Sequence, residues 1–344
     1  MPSAIIHCVR HAQGFHNLGT EFHALRDPRL TPAGEEQCAA LQAAHFPGDA
    51  QRRISLITAS PLTRTLHTAY LTFQPLLDPS HSDHVKSTNT PTTPRPNILA
   101  LPDAQETSDF PCDTGSDPTT LAASVSRSSW PVDLSLLHPS WTEKGLTTRY
   151  SPHAAAIKSR ARATRQLLRQ KARELVAAGV EKPEIVLVTH GGFLHYFTGD
   201  WEGASRGLGT GWANCETRAY EFEGGIEVDA EDEDEDEARI VETRESRRKR
   251  GVEHAMPGWE EQVGLEEETM VGWESRGLQR PDRIGEGWEW KSGAALGGDD
   301  AATEKEKEGN MVAAKAREVD GAEVEAEANK GEELERGVGV KVQA

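Results

Sequence analysis

Arg10-His11 and His190 are the residues of this sequence whose types and settings could work together on one ligand. Each histidine stands at or just past the end of a short apolar run, Ile5–Val9 and Ile185–Val188, of the length and β-branched content of a buried strand. In an open parallel sheet ligands sit just beyond the carboxyl ends of the strands, so both histidines would reach the same rim. A guanidinium offers forked donors to phosphate or carboxylate oxygens, and an imidazole can act as base, acid or nucleophile. A third stretch fits between them: Ile54–Thr58, then Ala59-Ser60-Pro61-Leu62-Thr63-Arg64. Ser60 is the expected N-cap and Pro61 the first helical residue, which puts Arg64 in the opening turn at the positive end of a helix. Gly191 and Gly192 would let backbone amides approach a ligand closely.

The elements that must position these residues alternate between strand and helix. A helix begins at Thr31-Pro32, carries Cys38, Leu41 and Ala44 on one side, and stops at Pro47-Gly48. The strand over 54–58 feeds a helix marked by Leu66, Ala69, Tyr70 and Phe73. Pro75–Pro96 reads as a surface insertion, Ile98–Leu101 as a third strand, and Ser151-Pro152 as the opening of a long helix to Ala178. Along that helix Ile157, Ala161, Thr164, Leu168, Ala172 and Leu175 form the inner stripe, and Ala219–Phe222 is the expected last, edge strand. Such alternation predicts an α/β fold, a three-layer α/β/α sandwich on a mostly parallel sheet.

With these pieces in order, the sequence resembles the histidine phosphatase superfamily, the phosphoglycerate-mutase-like fold. Its Arg-His-Gly, Ser-Pro-x-x-Arg and late His-Gly motifs stand here as Arg10-His11-Ala12, Ser60-Pro61-Leu62-Thr63-Arg64 and His190-Gly191-Gly192. Asn17 and the stretch Leu30-Thr31-Pro32-Ala33-Gly34-Glu35-Glu36-Gln37 match further family positions, and the resemblance spans roughly residues 4 to 222. Ala12 departs from the usual Gly, and Gln13 from a Glu common in mutases. The form Arg-His-Ala-Gln-Gly-x-His-Asn is similar to plant and fungal mutase-like proteins.

The resemblance implies phosphoryl transfer through a phosphohistidine. His11 would be the nucleophile, with Arg10, Arg64 and His190 around the equatorial oxygens and Asn17 as a further phosphate contact. A leaving alkoxide needs a proton. Glu106, shortly after the third strand, is the candidate acid, and Asp103 is its rival. The loop Asp109–Asp117 resembles one of the fungal mutase-like group, and covering the pocket and passive surface are both open readings for it. A phosphatase acting on a small phosphorylated metabolite is the first expectation, a phosphoglycerate-mutase-type phosphotransferase the second, and a non-catalytic phosphate-binding scaffold the third. The tryptophan-rich stretch of glycolytic mutases is absent between Phe15 and Thr31.

Charge divides the chain. Residues 1–225 hold 21 Lys and Arg against 22 Asp and Glu, and residues 226–344 hold 17 against 34, so the net −18 belongs to the second part and says nothing of the substrate. Residues 1–225 are therefore expected to be the catalytic domain and 226–344 an acidic, disordered, dispensable tail, since its composition buries too little apolar surface to offset chain entropy. Gly-Trp-Glu recurs around Trp259, Trp273 and Trp288, and Arg247–Arg250 is read as a solvated charge run, with a nuclear address as the alternative. Cys8, Cys38, Cys112 and Cys215 are scattered without metal-ligand spacing, and His16, His23 and His195 have no ligand partners at telling spacing. No metal, cofactor, nucleic acid or membrane is expected, the location is expected to be cytoplasmic, and the oligomeric state is left open.

Overall fold

At the centre of the sheet lies β5 (Glu184–Thr189), a near-continuous apolar run because both of its faces are covered. Side chains alternate across a strand, so Ile185 and Leu187 enter one apolar cluster and Val186 and Val188 the other. The computed structural model describes residues 2–88, 96–205, 210–227 and 237–284. Around β5 stand β1 (Ile5–Arg10), β2 (Ile54–Ala59), β3 (Ile98–Ala100), β4 (Val132–Asp133), β6 (Thr217–Phe222) and β7 (Ile240–Glu242), in the order β4-β3-β2-β5-β1-β6-β7. The pairings from β4 to β1 are all parallel; β6 pairs antiparallel with β1 and β7 antiparallel with β6. The sheet is thus mostly parallel, as the strand–helix alternation requires.

Parallel neighbours need crossovers, and helices supply them on both faces. One layer holds α1 (Pro32–His45), α3 (Thr63–Leu77) and α4 (Pro118–Arg127), whose Leu41, Leu66, Ala69, Phe73 and Leu121 pack with Val9, Ile57 and Ile98. The short α2 (Gly48–Arg53) leads into β2. The other layer holds α5 (Ala154–Ala177) and α6 (Gly191–Thr198), packed on Ile6, Cys8, Tyr220 and Phe222 through Ile157, Ala161, Leu168, Phe193 and Phe197.

Several sequence expectations are corrected. Helix α3 runs through Pro75 to Leu77, kinked at Phe73 where φ −111° and ψ 17° leave the helical region, so the insertion begins later than expected. Of that insertion Val85 is buried and Thr88 donates to the Arg52 carbonyl; residues 89–95 lie outside the described residues. Strand β6 is interior, because β7 covers its outer edge. The third correction is the largest: folded structure does not stop at 225. Residues 237–284 contribute β7, α7 (Arg244–Lys249) and α8 (Trp259–Ser275), and Ile226, Ala238, Ile240, Met270 and Trp273 belong to the main apolar cluster. Residues Met1–Ser292 form one compact unit. Sparse apolar residues suffice here because each meets a large partner: Trp273 packs beside Trp201 and His195. Trp259 is 62 % exposed while Trp273 is 2 % exposed, so the repeated Gly-Trp-Glu does not mark equivalent sites, and Trp288 lies outside the described residues. Nor is the basic run simply solvated. Arg247 is buried between Glu242 and Glu202, and Arg250 pairs with Glu242. The expected disorder of residues 285–344 concerns a segment outside the described residues.

Candidate active site

Because β1, β2, β3 and β5 run parallel, Arg10, Ser60, the chain after Ala100 and His190 all emerge at one edge of the sheet. The loop after His11 is held from below by the start of α1. Thr31 caps that helix by accepting from Gly34 N at 3.0 Å, while its backbone N–H donates to the Gln13 carbonyl at 3.0 Å and its hydroxyl to Gln13 Oε1 at 2.8 Å. Gln37 Oε1 accepts from Gln13 N at 2.8 Å. A Cβ on Gly34 would lie 2.2 Å from the Gln13 carbonyl oxygen, so this contact demands glycine. Gln13 therefore secures the loop itself. Ala12 is fully buried against Leu30 and Cys38, which is why a methyl is accommodated there, and its N–H donates to Thr68 Oγ1.

Two hydrogen bonds fix the tautomer of His11. Nδ1 is 2.7 Å from the Ala12 carbonyl, which can only accept, so Nδ1 carries the proton. Nε2 then presents its lone pair and accepts from Arg64 Nε at 3.3 Å. Burial, reinforced by Arg64 and Arg10, holds the His11 pKa well below its ordinary value and keeps the ring neutral.

Arg64 is fully buried in the first turn of α3, but Ser60 is not its N-cap. The helix starts at Thr63 with Leu62 at the cap position, and Asp27 on another loop accepts from Thr63 N at 2.9 Å. Ser60 Oγ instead meets His190 Nε2 at 2.9 Å. The Arg64 guanidinium spans the site: Nη1 donates to the Cys112 carbonyl at 2.6 Å, and Nη2 reaches Asp113 Oδ1 at 2.8 Å and His190 Nδ1 at 3.1 Å. Arginine has no acceptor, so His190 Nδ1 is unprotonated and Nε2–H donates to Ser60. Burial and then Arg64 hold the His190 pKa well below its ordinary value. The His11 and His190 rings stand 5.2 Å apart between centroids.

Arg10 is held through Nη1 by the Trp212 carbonyl, and its Nε has no partner among the described residues. Asn17 lines the same pocket, with its Oδ1 accepting from Gly14 N and from Asn214 Nδ2. Glu106 also lines it. Its Oε1 accepts from Thr107 N and Phe193 N, both at 2.9 Å, and its Oε2 from Gly192 N at 3.2 Å. The glycines after His190 thus bring backbone to Glu106: a Cβ on Gly192 would fall 2.6 Å from Glu106 Oε1, and one on Gly191 1.9 Å from Thr210 Oγ1. Burial, with Asp113 adding to it, raises the Glu106 pKa against the pull of those amides. Asp103 goes elsewhere. It pairs with Arg149 and lines a separate cavity.

Sequence reasoning passed over the pocket residue His16, whose ring lies 5.2 Å from that of His11, and Asn214, which holds the loop from behind by donating to the His11 carbonyl at 3.0 Å. The loop after Glu106 does wall the cavity, through Ser108, Phe110, Cys112 and Asp113. Trp273, Arg276, Leu278 and Gln279 close another side, with the Gln279 amide bonded to Asp109 Oδ1 at 2.8 Å. No local signal marked them, since they come from the stretch whose composition reads as tail.

A buried neutral imidazole whose Nε2 lone pair is turned to Arg64, with Arg10 beside it at the carboxyl edge of a parallel sheet, has the chemistry to transfer an anionic group. A model of the histidine phosphatase superfamily (branch 1) matches residues 6–83. A phosphoglycerate mutase-like protein of Arabidopsis thaliana is 27% identical over 246 residues, covering 62% of this chain and 82% of the relative. Phosphoglycerate mutase-like protein 2 of the same plant is 44% identical over 75 residues, 20% of this chain and 22% of its own. Among solved structures, mycobacterial hydrolase 2 is 16% identical with a TM-score of 0.40, covering 77% of this chain and 98% of that one. Residues 6–83 are thus similar to the histidine phosphatase superfamily.

Proposed function

We propose that this protein hydrolyses a small phosphomonoester through a phosphohistidine on His11. The carrying observation is the neutral His11 ring, with Nδ1–H tied to the Ala12 carbonyl and the Nε2 lone pair turned to Arg64. In the first step Nε2 attacks phosphorus and the ester P–O bond breaks. The departing alkoxide takes the proton of the Glu106 carboxyl, which its raised pKa keeps available. In the second step a water gives a proton to Glu106 and attacks phosphorus, the P–N bond breaks, and inorganic phosphate leaves. Arg10 and Arg64, with Asn17 at the rim, hold the phosphoryl oxygens, and His190 joins them on gaining a second proton. A cavity of about 260 Å³ suits a small metabolite.

The test is rapid quench with a labelled phosphoester and peptide mapping. Acid-labile label is expected on the peptide containing His11, with turnover abolished in His11→Ala. Label elsewhere, or normal turnover by His11→Ala, overturns the reading. The mutase reading is favoured by one feature, the closure of the pocket by residues 273–279, since a mutase must keep water from the phosphohistidine. Movement of phosphate between the hydroxyls of 3-phosphoglycerate, without release of inorganic phosphate, would establish it instead. Phosphate binding with neither activity would indicate a scaffold.

A further inference from the structure

The inner face of α5 carries an arginine where its apolar neighbours call for another apolar residue. Arg160 stands three residues on from Ile157 and next to Ala161, both in the main apolar cluster, and it is fully buried. A guanidinium kept from water is costly unless its donors are engaged. Among the described residues no carboxylate pairs with it, and Asp103 on the neighbouring turn is taken by Arg149 instead. Arg160 turns its donors to backbone. Nη1 donates to the Asp103 carbonyl at 2.6 Å and the Gln105 carbonyl at 2.9 Å, and Nη2 to the Glu106 carbonyl at 3.4 Å; Nε alone has no partner among the described residues.

Those three carbonyls belong to the turn that ends in Glu106. Residues 105–110 are neither helix nor strand, so no ladder of main-chain hydrogen bonds fixes the acid. The turn is held from outside. Thr189 Oγ1 donates to the Ala104 carbonyl at 2.5 Å, Lys144 Nζ to the Glu106 carbonyl at 3.4 Å, and Arg160 to three carbonyls at once. Charged donors make the stronger hydrogen bonds. The same guanidinium has a second hold. Its Cζ lies 5.3 Å from the centroid of the Phe193 ring, within cation–π range, and Phe193 N donates to Glu106 Oε1 at 2.9 Å. One buried cation therefore touches both the main chain behind the acid and the residue whose amide holds its carboxyl group in front.

We infer that Arg160 is a positioning residue for Glu106, setting the place and aim of its carboxyl group without touching the substrate. Proton transfer depends on that geometry, and a displacement of about 1 Å costs on the order of 100-fold in rate. Arg160 does not line the pocket that holds His11, so it has no direct part in nucleophilic attack or phosphate binding. The inference rests on the reading of Glu106 as the general acid.

The test compares benzyl phosphate, which has a poor leaving group, with nitrophenyl phosphate, whose leaving group needs no proton. The quantity read is kcat/KM, which covers the steps up to cleavage of the ester bond, where the proton of Glu106 is used. Arg160→Met should slow benzyl phosphate roughly 10- to 100-fold and nitrophenyl phosphate little. Arg160→Lys keeps the charge but cannot span three carbonyls, so it should show the same dependence at smaller size. Equal slowing of both esters is what a general loosening of the fold would give, and it overturns the inference. Unchanged rates in Arg160→Met overturn it too. Glu106→Gln, measured alongside, separates the two readings. Leaving-group dependence there but not in Arg160→Met overturns the role of Arg160 alone, whereas equal slowing by Glu106→Gln overturns the acid and the inference with it. Should Arg160→Met not fold, Arg160→Lys decides by the same comparison. Failure of both to fold would leave Arg160 a residue of folding only and overturn the inference.

Discussion

At the scale of single residues, the tautomers make a claim that can be measured. His190 Nδ1 accepts from Arg64 and its one proton faces Ser60. It can donate to a phosphoryl oxygen through Nδ1 only by gaining a second proton. Its pKa is lowered by burial and by Arg64, and a bound dianion opposes both effects, so phosphate binding near pH 7 should take up a proton. Calorimetry in two buffers of different ionisation enthalpy should show this uptake, and His190→Ala should lose it. Uptake unchanged in that variant would place the proton on Glu106. Glu106 has its own test. Glu106→Gln should slow esters of poor leaving groups roughly 100-fold or more while affecting nitrophenyl esters little, because a nitrophenolate departs unaided. Equal slowing of both would remove Glu106 as the acid, and with Asp103 tied to Arg149 there is no second carboxylate from that turn to replace it.

At the scale of elements, the start of α6 does more than follow His190. Its first amides hold Glu106, and Gly192 leaves no room for a side chain. Gly192→Ala should therefore push the acid out of place and reproduce the leaving-group dependence of Glu106→Gln while His11 still forms phosphoenzyme. A folded variant with normal rates on poor leaving groups would show that the carboxylate can move freely. The C-terminal elements carry a sharper expectation. Ending the chain at Glu227 removes β7, α7 and α8 and uncovers β6 and the apolar cluster around Trp201. Cooperative unfolding should be lost, whereas a chain ending at Ser292, where the compact unit closes, should keep it. Trp273→Ala alone should cost about 3–5 kcal/mol in denaturant titrations, as expected for emptying a buried tryptophan site.

For the molecule as a whole, the site sets a pH dependence of stability. His11, His16 and His190 are buried and held neutral, each with its pKa well below the ordinary value, burial being the first cause in each case. When the chain unfolds, these rings bind protons below about pH 6.5, the unfolded value. The unfolded state then holds more protons, so stability falls as pH falls. Each ring contributes a slope of up to about 1.4 kcal/mol per pH unit once the pH is well below the unfolded value. Glu106 and Asp27, whose pKa values are raised by burial, act in the opposite sense at lower pH, where unfolded carboxylates titrate. Urea titrations at pH 7.5, 6.5 and 5.5 should show a steep loss over the last step. A flat profile would mean that these rings are protonated in the folded state.

What the sequence determined by itself is the part of the molecule where local rules and chemistry coincide. The apolar runs ending at Arg10 and His190, the Thr31-Pro32 helix start and the Arg64 turn are short-range signals, and the structure brings all of them to one edge. Parallel pairing needs only alternation of strand and helix, so the mostly parallel sheet was legible too. Tertiary structure decided the rest, because it depends on which groups meet across long stretches of chain. Ser60 reads locally as a cap, yet His190 claims its hydroxyl. Gly192 reads as a ligand approach, yet Glu106 fills the space. Residues 237–284 have a composition that fails as an independent core, since few of their side chains are apolar. Packed on an existing sheet and helix layer, a handful such as Ile240, Met270 and Trp273 is enough, because most of the surface they bury is supplied by the rest of the fold. That docking carries Arg276 to the mouth of the pocket, and nothing near position 276 in the sequence could have announced it.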